Sequence, residues 1–196
     1  MKNPLIKNTL ILTMITLVAG LFLGLVYEIT KEPIAAAQEA AKQAAYKEVF
    51  ADASSFVALD GFEVTVIDGV NTIDEVVIAT DGTNDLGCVI TITNKEAYGG
   101  SLQLTMGIRM DGTVNGISFL SLSETAGLGM NAKESFFTDQ FANKLVSAFT
   151  VTKTGATVDG EIDALSGATI TSSAVATAVN AGITYFDTTV GGGANE

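Results

Sequence analysis

The side chains with the most evident chemical potential lie together near the C-terminus, in Asp163-Ala-Leu-Ser166-Gly167-Ala168-Thr169-Ile-Thr171-Ser172-Ser173. This stretch precedes a helix-forming run from about Ser172 to Phe186, so it reads as a turn that feeds a helix N-terminus. Gly167 permits tight backbone geometry, and Ser172 or Ser173 can cap the helix. The first-turn N–H groups and the positive end of the helix dipole favour an anion, phosphate included. Hydroxyls of Ser166, Thr169 and Thr171 add donors. A well-capped turn without any ligand satisfies the same pattern, and the residues by themselves leave both readings open.

Absences narrow the chemistry. The chain has no histidine, which excludes an imidazole-dependent triad and a histidine-ligated haem or metal. Cys88 is the single cysteine, so neither an internal disulfide nor an iron–sulfur cluster held by this chain alone can form. Cys88 sits in the apolar run Cys88-Val-Ile-Thr-Ile92 and reads as a small core residue rather than a reactive thiol. No metal site and no catalytic acid–base residue is expected. A redox role would therefore need a bound organic cofactor. A formal charge of −12 argues against a nucleic-acid partner.

The elements that must position these residues begin with an uncharged run, TLILTMITLVAGLFLGLVY, from Thr9 to Tyr27. Its length suits a membrane-crossing helix. Lys2 and Lys7 are the only charges before Glu28, which places the N-terminus in the cytoplasm and the acidic bulk of the chain outside. A cleaved signal peptide is the competing reading, with Ala35-Ala36-Ala37 as an A-x-A-like site. The apolar run exceeds a usual signal core, and the triplet lies well beyond its end, so a retained anchor is expected. From Pro33, suited to a first helical turn, IAAAQEAAKQAAYKEVF reads as a helical stalk whose alanine stripe contributes little core.

Strand signals follow at Phe62 to Ile67, Val76 to Ala79 and Cys88 to Thr93. Leu102, Leu104, Met106, Ile108 and Met110 alternate with polar or small residues, which predicts a half-buried strand over Ser101 to Met110. Asp111-Gly112 predicts a two-residue turn into a return strand over Val114 to Leu122. Glu134 to Phe149 reads as a helix, with Phe136, Phe137, Phe141, Leu145 and Phe149 as its apolar positions. Val175, Val179, Ile183 and Phe186 mark one face of the last helix. The fold class is α+β, with strands grouped centrally and helices flanking. The expected divisions are a cytoplasmic N-terminus (1–8), a transmembrane helix (9–29), a stalk (30–50), an extracytoplasmic domain (51–190) and a flexible tail (191–196).

Three segments carry a family resemblance. D-x-x-S-G-A-T, from Asp163 to Thr169, resembles the motif at which a flavin transferase attaches FMN by a phosphoester to the final threonine. Ser123-Glu-Thr-Ala-Gly-Leu-Gly129 resembles the (H/S)-x-E-T-P-G-L-G segment of FMN-binding domains, and Ala97-Tyr-Gly-Gly100 resembles their G-Y-G-G. Their order, behind one N-terminal anchor, is similar to that of the G subunits of Rnf complexes, which are ion-translocating ferredoxin–NAD oxidoreductases. Ala126 stands where proline is frequent and Ala97 where glycine is, so local loop shape can differ while no functional group is lost.

The resemblance implies an FMN-binding domain with a central antiparallel sheet and flanking helices. It further implies covalent FMN on Thr169, with Asp163, Ser166, Gly167 and Ala168 forming the segment recognised by the transferase and the loop that holds the phosphate. Glu124, Thr125, Gly127, Leu128 and Gly129 would lie along the flavin. Tyr98 could stack on an aromatic ring. Against these roles, Glu124 and Thr125 could be solvated loop residues, Leu128 ordinary core, and Tyr98 a packing residue beside a Gly-Gly turn. The implied partners are the other membrane, iron–sulfur and flavin subunits of such a complex, together with the transferase. The alternatives are the FMN subunit of a Na+-translocating NADH–quinone reductase, a stand-alone extracytoplasmic flavin shuttle, and a non-redox membrane-anchored or pilin-like interaction domain.

Overall fold

A computed structural model describes residues 3–191, so most of the expected tail, 192–196, lies outside the described residues. The chain divides into two units, residues 1–42 and 43–196. The first is helical. Helix α1, Pro4–Val49, begins there and is the one helix among the described residues long and apolar enough to cross a membrane. Its apolar side chains from Leu5 to Ile34 are exposed, as a lipid-facing surface requires. Thr13, Thr16 and Thr30 return their hydroxyls to carbonyls one turn back, so they add no unpaired donor there. The expected anchor and stalk form one helix, and Pro33 stands inside it rather than in a first turn. Proline removes a single backbone bond. Strong helix formers on both sides carry the helix through that gap.

The second unit is built on an antiparallel sheet. Strands β1 (Ser55–Ala58), β3 (Asn71–Thr80), β4 (Asp85–Ala97), β5 (Gly100–Arg109) and β6 (Val114–Ser121) lie in that order, and β2 (Thr65–Ile67) also pairs with β3. One face packs under helix α3, Thr169–Tyr185. Ile90, Ile92, Leu104, Met106 and Ile108 meet Val175, Val179 and Ile183 there, all buried. Each such side chain contributes about 1.5–3 kcal/mol on burial. Asn94 fixes how α3 lies on the sheet, because its amide donates to Asn71 Oδ1 at 2.7 Å and to Thr177 Oγ1 at 3.1 Å. Phe62 and Tyr185 meet edge-on at the far end.

The opposite face of the sheet is covered too, contrary to the half-buried expectation. Tyr46, Val49 and Phe50, at the end of α1, pack with Ala53 on Val77, Ala79 and Val89. The end of the expected stalk is therefore core. At mid-strand a methyl group on Gly107 would lie 3.0 Å from Val49 Cβ and Val49 O, so the glycine lets the end of α1 pack tightly here. Strand β5 ends at Arg109, which leaves Met110 exposed. Its turn has three residues, not two. Arg109 N–H bonds to Thr113 O, and Gly112, at φ +85°, donates to Arg109 O. Left-handed glycine after an ordinary turn is the bulged hairpin solution.

The helix expected over Glu134 to Phe149 is replaced by short turns. Helix α2 covers Ser135–Thr138, with 3-10 turns at Gly129–Lys133 and Asp139–Phe141. Phe137, Phe141 and Phe149 bury their rings against one another, whereas Phe136 and Leu145 are exposed. Tertiary partners claim the backbone that a helix would need. Lys144 exchanges two backbone bonds with Val114, and Asn180 makes two to Phe149. Asn143 takes φ +56°, which ends any helix. The chain then forms a parallel pair, β7 (Thr150–Thr152) and β8 (Glu161–Asp163).

Cys88 is fully buried beneath α3, and burial pushes its thiol up to about 12. At neutral pH it is protonated and inaccessible. The native protein is expected not to react with an aromatic disulfide reagent, while denaturation should release one thiol per chain. Fast labelling of the native protein would contradict this packing.

Candidate functional site

The loop from β8 to α3 is tied down by backbone and serine. Ala168 N–H bonds to Leu165 O at 3.0 Å, with Gly167 at φ +73°, the pattern of a type II turn. Helix α3 begins at Thr169, earlier than expected, and Ser172 does not cap it. Instead Ser172 is buried, donates to Ala168 O at 3.0 Å and accepts from Leu165 N–H at 2.9 Å. Ser173 lies beyond the first turn and is exposed.

The N-cap position is Ala168, without a side-chain cap. The N–H groups of Thr169, Ile170 and Thr171 thus meet no acceptor among the described residues. Such an end attracts an anion.

Two other segments converge on it. Gly99 lies in the β4–β5 turn, and its N–H bonds to Glu124 Oε1 at 3.1 Å. A methyl group on Gly99 would stand 1.9 Å from the Ser123 carbonyl oxygen, so the two loops touch through backbone. Glu124 enters a turn in which Leu128 and Met130 N–H both bond to Thr125 O. At Gly129 the added methyl would lie 2.7 Å from both Glu124 Oε2 and Thr171 Oγ1. Gly167 rests against Leu128, whose Cδ2 is 3.1 Å from the corresponding point.

The three segments enclose a cavity of about 500 Å3, lined by Tyr98, Glu124, Thr125, Leu128, Gly129, Gly167, Ala168, Thr169, Ile170 and Thr171. That volume suits a cofactor-sized ligand. Tyr98, Leu128 and Ile170 are 71%, 42% and 55% exposed, an apolar rim that none of the described residues covers. Thr171 is only 1% exposed, yet its hydroxyl has no partner among the described residues. A buried hydroxyl left open toward a cavity is a donor waiting for a ligand.

Seven of the expected site residues thus share one wall system: Glu124, Thr125, Leu128, Gly129, Gly167, Ala168 and Thr169. The remaining three do not line it. Gly127, Asp163 and Ser166 face a broader groove of about 1240 Å3 across Leu128. Asp163 braces the backbone there. Its Oδ1 accepts Ala156 N–H at 2.6 Å, and its own N–H bonds to Gln140 Oε1 at 2.6 Å. Glu161 in the same groove is held below the usual carboxylate range by hydrogen bonds from the Thr157 N–H and hydroxyl. Ile170 is the addition, while Tyr98 and the Thr171 hydroxyl, both singled out from the sequence, line the cavity too. Only an apolar residue at the exposed start of an otherwise buried helix could have pointed to Ile170.

Comparison with known proteins places these loops in context. Residues 97–184 match the family model of the FMN-binding domain, and residues 1–49 match that of the RnfG N-terminal region. The chain is 30% identical over 191 residues to the G subunit of the proton-translocating ferredoxin:NAD(+) oxidoreductase complex of Clostridium ljungdahlii, spanning 97% of this chain and 96% of that one. It is 31% identical over 188 residues to the G subunit of the Na(+)-translocating ferredoxin:NAD(+) oxidoreductase complex of Acetobacterium woodii, spanning 92% and 90%. The crystal structure of Shewanella oneidensis NqrC superposes with a TM-score of 0.51 at 15% identity, covering 73% of this chain and 85% of that one, a likeness of fold alone.

The Gly99–Ser123 contact gives a direct test. Gly99→Ala is expected to lower unfolding stability by about 1–3 kcal/mol, the usual range for overpacking. Urea titration reads it as a lower midpoint at unchanged slope. A midpoint equal to that of the parent would mean that the two loops do not meet so closely.

Proposed function

The chain belongs to the family of G subunits of Rnf ion-translocating oxidoreductases, and from that premise we propose that it carries FMN esterified through its phosphate to Thr169. It is an FMN-binding electron-transfer subunit of an ion-translocating ferredoxin:NAD oxidoreductase, and a single-pass membrane protein. The other subunits of that complex are its partners. Substrate turnover belongs to them.

One observation carries the assignment of Thr169. It is the first residue of an uncapped helix, on the wall of the cavity that joins all three motif segments. The residues present fit the cofactor. The first-turn N–H groups and the unpartnered Thr171 hydroxyl suit a phosphate oxygen, and the Tyr98, Leu128 and Ile170 rim suits an aromatic ring. Thr169 makes no side-chain hydrogen bond among the described residues, so its oxygen is free to be esterified without loss to the fold. In the attachment step that oxygen gives up its proton and bonds to phosphorus, and the activating group on the transferase's flavin donor departs.

When bound, FMN supplies reversible one- and two-electron transfer. The chain's own residues hold the phosphate, exclude water along the apolar rim and leave one side of the cavity open to a redox partner. An ester bond also keeps the cofactor on a domain that has no FMN pool to draw upon. Such a domain lies outside the cytoplasm, as Lys2 and Lys7 before the apolar run imply. The expected extents, 9–29 across the membrane and 51–190 outside, belong to this same reading. Asp163 and Ser166, on the broader groove, form the part of the motif that the transferase grips from without.

Co-expression with a flavin transferase is expected to add one FMN to the peptide spanning Ser166 to Ser173, read by mass spectrometry. Thr169→Val should abolish in-gel flavin fluorescence while circular dichroism stays unchanged; a labelled variant would refute the residue assignment. Protease added outside spheroplasts should digest the domain. Full protection would reverse the orientation.

A further inference from the structure

The cavity holds one carboxyl side chain, of which one oxygen takes part in no hydrogen bond among the described residues. Of the ten residues lining it, only Glu124 bears charge. Its Oε1 is pinned by Gly99 N–H at 3.1 Å. Its Oε2 accepts no hydrogen bond among the described residues and faces Gly129, as does the buried Thr171 hydroxyl. The adjoining hollow, which shares Thr169 and Ile170, is lined by one further charged residue, Glu96. Neither hollow has a lysine or arginine on its wall. Every charged side chain lining these two hollows is therefore acidic.

Resting on the reading of Thr169 as the flavin carrier, we propose that Glu124 sets the reduction potential of the bound flavin, holding it more negative than a neutral residue would. Each electron from the reduced partner in the complex brings one negative charge to the ring, cancelled only if a proton from water follows. A carboxylate fixed in a half-closed cavity repels that charge. No lysine or arginine on the walls of the two hollows offsets that repulsion. The Gly99 bond keeps the carboxylate from swinging out to solvent, which is why a loop contact serves an electrostatic purpose.

Glu124→Gln separates charge from structure, because the amide oxygen still accepts the Gly99 bond. The full chain, flavinylated by co-expression and purified in detergent, is titrated by spectroelectrochemistry beside the parent. The expected result is a positive shift of at least tenfold in the one-electron reduction equilibrium, about 59 mV. An unchanged or more negative potential in a flavin-bearing variant overturns the proposal while leaving the Thr169 reading intact. Flavin absent from the parent as well overturns both. Glu96→Gln should shift the potential less than Glu124→Gln does, and a larger shift would overturn the assignment to Glu124. Should Glu124→Gln not fold, Thr125→Lys places a cation on the exposed lip of the same cavity. It should also move the potential upward, and an unmoved value there counts against the proposal.

Discussion

A buried helix that starts without a cap is the constraint around which this domain is arranged. Three N–H groups at the head of α3 meet no acceptor among the described residues, and Ser172 lies inside the helix, where it braces the preceding turn. Unmet backbone donors are costly when water is displaced. They are tolerated here because the helix head opens onto a cavity, where an anion can complete the hydrogen bonding. The rest of α3 cannot adjust. Val175, Val179 and Ile183 lock it to the sheet, and Thr177 is bonded to the buried Asn94.

A sheet covered on both faces makes that lock rigid. The end of α1 closes the second face through Tyr46, Val49 and Phe50, so the strands that support α3 are held from behind. From these strands spring the β4–β5 turn with Gly99 and the segment after β6 with Glu124. The loops that build the site are irregular, but each begins within a few residues of a fixed strand end. Contacts between them are made at glycine, where a side chain would force them apart.

The cavity's polarity follows from the same economy. The helix head offers donors from backbone alone, so an anion bound there would need no lysine or arginine. The rest of the cavity wall carries an apolar rim and one carboxyl group. A carrier that need only hold a flavin and pass electrons can dispense with acid–base residues, in keeping with a chain that has no histidine.

Much of this was legible in one dimension. The apolar run after Lys7 marks a membrane helix by length and lack of charge. Period-2 alternation over Leu102 to Ile108 defines β5 and its buried face, and the hydroxyl-rich turn before the last helix locates Thr169. These signals are local and depend on neighbours a few residues away. Three outcomes were not local, and only tertiary structure decided them. Asn180 and Val114 draw the backbone near Phe149 and Lys144 out of a helix that the spacing of aromatics favours. The end of α1, read as an alanine stalk, becomes core because a sheet face awaits it. Asp163, one motif residue, turns to brace a loop, while Thr171 and Ile170 turn to the cavity. Sequence spacing states which residues are close along the chain; which faces they share is set by packing between elements far apart in it.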